Sequence, residues 1–183
     1  MQVNMGKDEL EDCFRSAVKD EEKGKKHKGL LIGKVNEEMA KSYLAKAKLN
    51  IKLCGLYQKN GFDYMIPEAW YYTLYYCALA ILLKFGITSR NQRCTAVFLK
   101  YIKEKGLIEY EDEFIDRITV HRDKEEKSDV DKREEARYGP LILIEDVPLQ
   151  YDSMTEVCKQ AIEQCEEIVF SNKEFKVPKE LFE

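Results

Sequence analysis

Residues 67–86 read PEAWYYTLYYCALAILLKFG, and this stretch decides the fold. Pro67 suits the first turn of a helix, where its missing N–H is not needed, and Gly86 closes the run. Between them nearly every position is apolar or aromatic, so the helix has no face for water and must be enclosed by others. The apolar run from Ala69 to Leu83 falls short of the ~20 residues that span a bilayer, so a buried central helix is preferred to a membrane span. Upstream, Asn36 is placed to cap a helix with Glu37 and Glu38 in its first turn, and Ala40, Tyr43, Leu44, Ala47, Ile51, Cys54 and Tyr57 recur at helical spacing. Downstream, Ser89 is the predicted cap of a third helix carrying Cys94, Val97, Phe98, Tyr101 and Ile102 as far as Gly106. A fourth helical stretch begins near Glu111 with Phe114, Ile115 and Ile118 inward, then becomes almost wholly charged, with a break expected near Ser128. The segment 141–150, LILIEDVPLQ, is treated as a loop. Asp152 or Ser153 is then the predicted cap of the last long helix, whose Met154, Val157, Cys158, Ala161, Ile162, Cys165, Ile168 and Val169 keep core spacing.

The expected fold is therefore all-α, an antiparallel up-and-down bundle of four to five helices spanning residues 35–171. Residues 1–34 form an N-terminal extension with a short helix over residues 8–19 and a charged linker, and residues 172–183 a peripheral tail. At 183 residues, one domain with appendages is the natural partition. With 30 basic and 34 acidic residues the net charge is -4, so no overall positive field draws the chain onto nucleic acid, and any RNA contact must be local. The six cysteines contain no C-x-x-C pair and read as small core hydrophobes. The start MQVNMGKDELEDCF lacks the apolar run of a secretory signal, which makes the reducing cytoplasm the expected compartment. Only His27 and His121 are present, too few for a multi-histidine metal site, and no Gly-rich nucleotide loop or serine-hydrolase elbow occurs. Neither a metal nor a cofactor is expected.

Several pieces in order carry a family likeness: Tyr43-Leu44-x-x-Ala47 with Asn50, Ala69-Trp70-Tyr71-Tyr72, Ala78-x-Ala80-Ile81-Leu82-Leu83, the Gly86-Ile87 turn, and Arg133-x-x-Ala136-x-Tyr138-Gly139. Over residues 35–171 this layout resembles the HEPN superfamily, and within it the UPF0332-like branch. The resemblance implies a helical bundle that often forms a homodimer, is frequently encoded beside a nucleotidyltransferase, and sometimes acts as a ribonuclease toxin in a toxin-antitoxin pair. Active members pair an Arg with a His four to six residues later, the Arg on the scissile phosphate and the His moving the proton, without metal. Carried onto this chain, the Arg falls on Arg133 and its polar neighbour on Glu134. The His position falls on Tyr138, and the position of a nucleotide-accepting Tyr in one toxin branch falls on Pro140.

Three functions follow as alternatives. The first is a nucleotide- or RNA-associated binding or regulatory protein paired with a nucleotidyltransferase-type partner. The second is a metal-independent endoribonuclease using Arg133 and Tyr138, and the third a purely structural interaction module. Catalysis faces a chemical objection, because an unperturbed tyrosine with a pKa of about 10 is a poor general base at neutral pH. Such a role requires a strong nearby cation, for which Arg133 and Arg137 are the candidates, while the bland alternative has Tyr138 ending its helix with the ring on the bundle and Arg133 paired to Glu134, Glu135 or other acids. His121, after Arg117, is a reserve proton carrier and equally a solvated surface group. Lys84, Arg90 and Arg93 gather near the start of the third helix, where free N–H groups favour phosphate, and complete the candidate nucleotide- or RNA-binding set. Tyr71, Tyr72, Tyr75 and Tyr76 read as core before base-stacking platform.

Overall fold

The computed structural model describes residues 3–119, 129–140 and 146–182. Among them are seven α-helices and a two-stranded sheet. The helix predicted from the decisive stretch is α3, Ile66–Lys84, with Pro67 in its first turn. It packs against α2 (Glu37–Lys59), α4 (Gln92–Glu104), α5 (Asp112–Ile118), α6 (Asp129–Tyr138) and α7 (Asp146–Val169). Those neighbours follow from its composition: a rod with apolar residues on every side loses water only when enclosed. Ile66, Ala69, Trp70, Tyr71, Leu74 and the run Cys77–Leu83 are all buried. The buried hydroxyl of Thr73 donates to the Ala69 carbonyl at 2.8 Å, which satisfies it within the helix.

The cap on α2 forms as its sequence requires, with Asn36 Oδ1 accepting from Met39 N at 2.9 Å. On α4 the cap is Asn91, whose Oδ1 accepts from Cys94 N at 3.0 Å, and this corrects the expectation of Ser89. Ser89 is instead the last residue of β2 (Ile87–Ser89), where its Oγ accepts from Thr95 Oγ1 at 2.7 Å. The final helix also starts earlier than expected. It begins at Asp146 and takes in Pro148, because a proline in the first turn gives up no hydrogen bond the helix needs. The buried stripe from Met154 to Val169 then keeps the predicted spacing.

The largest departure from the expected all-α bundle lies in the first 34 residues. The first helix, α1, runs Val3–Glu22 instead of 8–19 and buries Leu10, Cys13, Phe14 and Ala17. β1 (Leu30–Ile32) then pairs antiparallel with β2, in the register Leu30↔Ser89, Leu31↔Thr88, Ile32↔Ile87. Gly86 makes this pairing: its φ is +71°, its carbonyl accepts from Gly33 N at 2.7 Å, and a Cβ there would stand 2.6 Å from the Gly33 oxygen. Not all six cysteines are core hydrophobes. Cys13 and Cys94 form a disulfide between α1 and α4 across 81 residues, while Cys54, Cys77, Cys158 and Cys165 are buried and belong to no disulfide. No helix among the described residues is long and apolar enough to cross a membrane.

Candidate functional site

Among the described side chains of the short charged helix α6, two are buried against the bundle. Ala136 is buried, and Arg133, despite its charge, is only 8 % exposed. Burial of a guanidinium is tolerated here because flat aromatic surface replaces part of its hydration. Its Cζ lies 4.6 Å from the centroid of the Tyr71 ring and 5.8 Å from that of Tyr72, on the second turn of α3. Glu134 Oε1 stands 3.4 Å from Arg133 Nη2, a long contact to a half-exposed carboxylate and a weak restraint. Beside it, Arg137 Nη1 donates to Glu68 Oε1 at 3.0 Å and fastens the end of α6 to the first turn of α3.

Two polar atoms in this cluster are buried without a hydrogen-bond partner among the described residues: Arg133 Nε and the Tyr71 hydroxyl. Such groups cost stability, so they point to strain or to a partner that arrives later. Burial pushes the Tyr71 phenol well above its usual pKa, against the opposing pull of the Arg133 charge, so near neutrality it remains a neutral hydroxyl. The pair thus offers a fixed cation and an uncharged donor–acceptor, a combination suited to an anionic oxygen.

Around them the tyrosines form a continuous patch. Tyr71 stacks on Tyr75 with centroids 5.9 Å apart, Tyr43 of α2 stacks on Tyr76 at 5.8 Å, and Tyr72 meets Tyr71, Tyr75 and Tyr76. Lys46 Nζ sits 5.5 Å from the Tyr76 centroid and 5.6 Å from that of Tyr43. Tyr71 and Tyr75 each spend one ring face on the other, as do Tyr43 and Tyr76, which leaves less open face for an incoming base. Burial also raises the phenols of Tyr75 and Tyr76.

The other sequence candidates do not join this cluster. Tyr138 is five residues beyond Arg133, about 140° further round the helix. It is 78 % exposed, with Arg137 Cζ 5.7 Å from its ring, so the ring faces solvent and not the bundle. The Arg133–Tyr138 pairing is therefore not formed. Lys84 is at the opposite end of α3, about 20 Å along the axis from Tyr71. It is no phosphate ligand in this arrangement: it is 3 % exposed, and Nζ donates to Glu37 Oε1 at 3.0 Å and to the Ser171 carbonyl at 3.3 Å. Arg93 pairs with Glu9 of α1, and Arg90 is exposed, its backbone N–H donating to the Gly29 carbonyl. His121 lies outside the described residues. What sequence reading missed is the role of Tyr71, Tyr72 and Glu68 as the seat of α6. The only local hint was an Arg-bearing helix too polar to be held by packing alone.

No group of three or more His, Cys, Asp or Glu that could hold a metal occurs among the described residues. Comparison with known proteins finds no family model, no curated protein and no solved structure that matches the chain.

Proposed function

We propose that the chain is a HEPN-like nucleotide- or RNA-associated binding protein, a regulatory component that works as a homodimer with a nucleotidyltransferase-type partner. The observation that carries this reading is the Arg133 guanidinium seated on Tyr71 and Tyr72, with its Nε and the Tyr71 hydroxyl unpartnered. A phosphate oxygen supplies the acceptor that both groups lack, and a charge-assisted bond to it offsets the cost of their burial. Arg133 keeps about a tenth of its side chain exposed, so ligand entry requires α6 to shift outward. The test is thermal stability with ATP and with short RNA, for the wild type and for Arg133→Ala. A ligand that binds the folded state raises the apparent melting temperature by mass action. A saturable rise in the wild type that disappears in the variant supports the reading, and no rise with either ligand refutes it.

The endoribonuclease alternative needs a proton carrier beside Arg133, and Tyr138 faces away from it. Equal background RNA cleavage by the wild type and Arg133→Ala eliminates that alternative. The purely structural module is what remains if neither ligand binds.

A further inference from the structure

The N-terminal segment is attached to the bundle in an unusual way. Its apolar stripe is short: Leu10, Cys13, Phe14 and Ala17 are buried, and the rest of α1 is largely polar. Phe14 packs edge-on against Phe98 of α4 at 6.3 Å and against Phe182 near the end of the chain at 5.3 Å. Glu9 pairs with Arg93. In the middle of these contacts Cys13 is bonded to Cys94 in the first turn of α4, with the two Cα atoms 5.9 Å apart. On the other side of α1 is a polar connection, residues 23–28, in which Gly24 has φ +66°. β1 follows, pinned by β2 and by Gly29, where a Cβ would stand 2.1 Å from the Cys13 carbonyl oxygen.

What α1 covers gives this attachment a consequence. Gly33 N donates to the Gly86 carbonyl and Arg90 N to the Gly29 carbonyl, so residues 29, 31 and 33 direct their main-chain groups at β2. Leu30 and Ile32 therefore direct theirs away from β2. Leu30 is fully buried while Ile32 stays exposed, and α1 packs against β1. The groove between them, with an empty volume of about 1000 Å³ that includes open solvent, is lined by Phe14, Val18, Leu31, Ile32, Leu181 and Phe182 among others.

We propose that α1 is a strap under thiol–disulfide control: the Cys13–Cys94 bond holds it against β1, and reduction releases it. The bond is asymmetric in a way that suits exchange. Cys94 is the third residue of a helix whose N-terminus favours negative charge, so Cys94 is the better leaving thiolate and Cys13 sulfur the site of attack. A dithiol reductant attacks Cys13 Sγ through one thiolate, forming a mixed disulfide as Cys94 leaves as thiolate. The reductant's second thiolate then displaces Cys13. Two electrons and two protons pass to Cys13 and Cys94, and the reductant becomes its own disulfide. With the bond gone, the described side chains leave α1 its apolar stripe, the Glu9–Arg93 pair and the hydrogen bond from Lys28 N to Asp20 Oδ2, and it swings about residues 23–28 away from β1.

The test uses the full chain, oxidised and then treated with dithiothreitol under native conditions, with intact mass to count the two hydrogens gained. Hydrogen exchange by mass spectrometry follows each helix. The expected result is exchange at least about tenfold faster in α1 and β1 on reduction, no comparable change in α3 and α7, and recovery after reoxidation with diamide. Cys13→Ser shows the released pattern with or without reductant; should that variant not fold, the reductant arm on the wild type decides alone. The proposal is overturned if the bond does not form, if dithiothreitol cannot reduce it in the folded protein, if α1 stays equally protected once it is reduced, or if all helices accelerate together.

Discussion

Tyr71→Phe separates a structural from a ligand-directed role for the site. The substitution removes one hydroxyl and keeps the ring, so the stacking on Tyr75, the edge contact with Tyr72 and the seat of the Arg133 guanidinium are preserved. The hydroxyl removed is buried and has no hydrogen-bond partner among the described residues. Relieving such a group returns about 1–2 kcal/mol, the desolvation that no bond repays. In a chain of this length that is a rise in melting temperature of about 2–8 °C. Tyr71→Leu gives the opposite sign, a loss of about 2–4 kcal/mol, because it also deletes ring area and the surface beneath Arg133. Urea and thermal unfolding of both variants measure the pair. If the hydroxyl is kept for ligand, Tyr71→Phe raises basal stability and at the same time shrinks the increment produced by ATP or RNA. A Tyr71→Phe variant less stable than wild type by more than about 1 kcal/mol means the hydroxyl has a partner in the folded state, and the reasoning built on it fails.

Three further outcomes follow from the fold. Gly86→Ala imposes a left-handed φ on an L-residue and brings its Cβ against the Gly33 oxygen, so it costs more than about 2 kcal/mol in denaturant unfolding; a loss under about 0.5 kcal/mol contradicts the pairing of β1 with β2. The Lys84 ammonium holds the Glu37 carboxyl below its usual pKa by hydrogen bond and charge. A depressed carboxylate contributes stability that is present above its unfolded pKa, near 4.5, and is lost as pH falls through the folded value; an acid titration of Lys84→Met should therefore be shallower below pH 4.5 than that of wild type, and identical slopes refute the linkage. Burial pushes the Cys54 thiol up to about 12, and Cys77, Cys158 and Cys165 are buried with it. A disulfide reagent on the oxidised native protein at pH 8 should thus find none of these four thiols until denaturant is added, and rapid labelling of any of them contradicts the packing of α2, α3 and α7 on one another.

How legible each part was depends on the range over which its cause acts. α3, the Asn36 cap and the stripe of α7 are written in residues three or four apart, where composition alone dictates which side must leave water. β1 and β2 are three residues each, too short to show a period, and exist only because residues 30–32 and 87–89 meet. The same holds for Cys13 and Cys94: nothing in a separation of 81 residues marks them as partners, and each sits in a helical stripe that also suits a core thiol. Ser89 and Asn91 both have capping side chains, and the choice between them was made by the sheet, which claims Ser89 for β2.

The site shows the same division within one helix. Arg133 was identifiable as a candidate from its place in α6, but whether it is a surface ion pair or a buried cation depends on which faces of α3 the helix covers. Here the covered faces are Tyr71 and Tyr72, and with Arg133 turned inward a residue five positions on must turn outward. The exposure of Tyr138 is thus a geometric consequence of the burial of Arg133 and not an independent fact. Any proposal that needs both groups on one phosphate must unwind the end of α6, and that helix is tied by the Arg137–Glu68 pair in the same last turn. Binding at Arg133 leaves the helix intact and asks the Arg137–Glu68 contact to yield, so an anion-holding site is what we propose in place of one that cleaves.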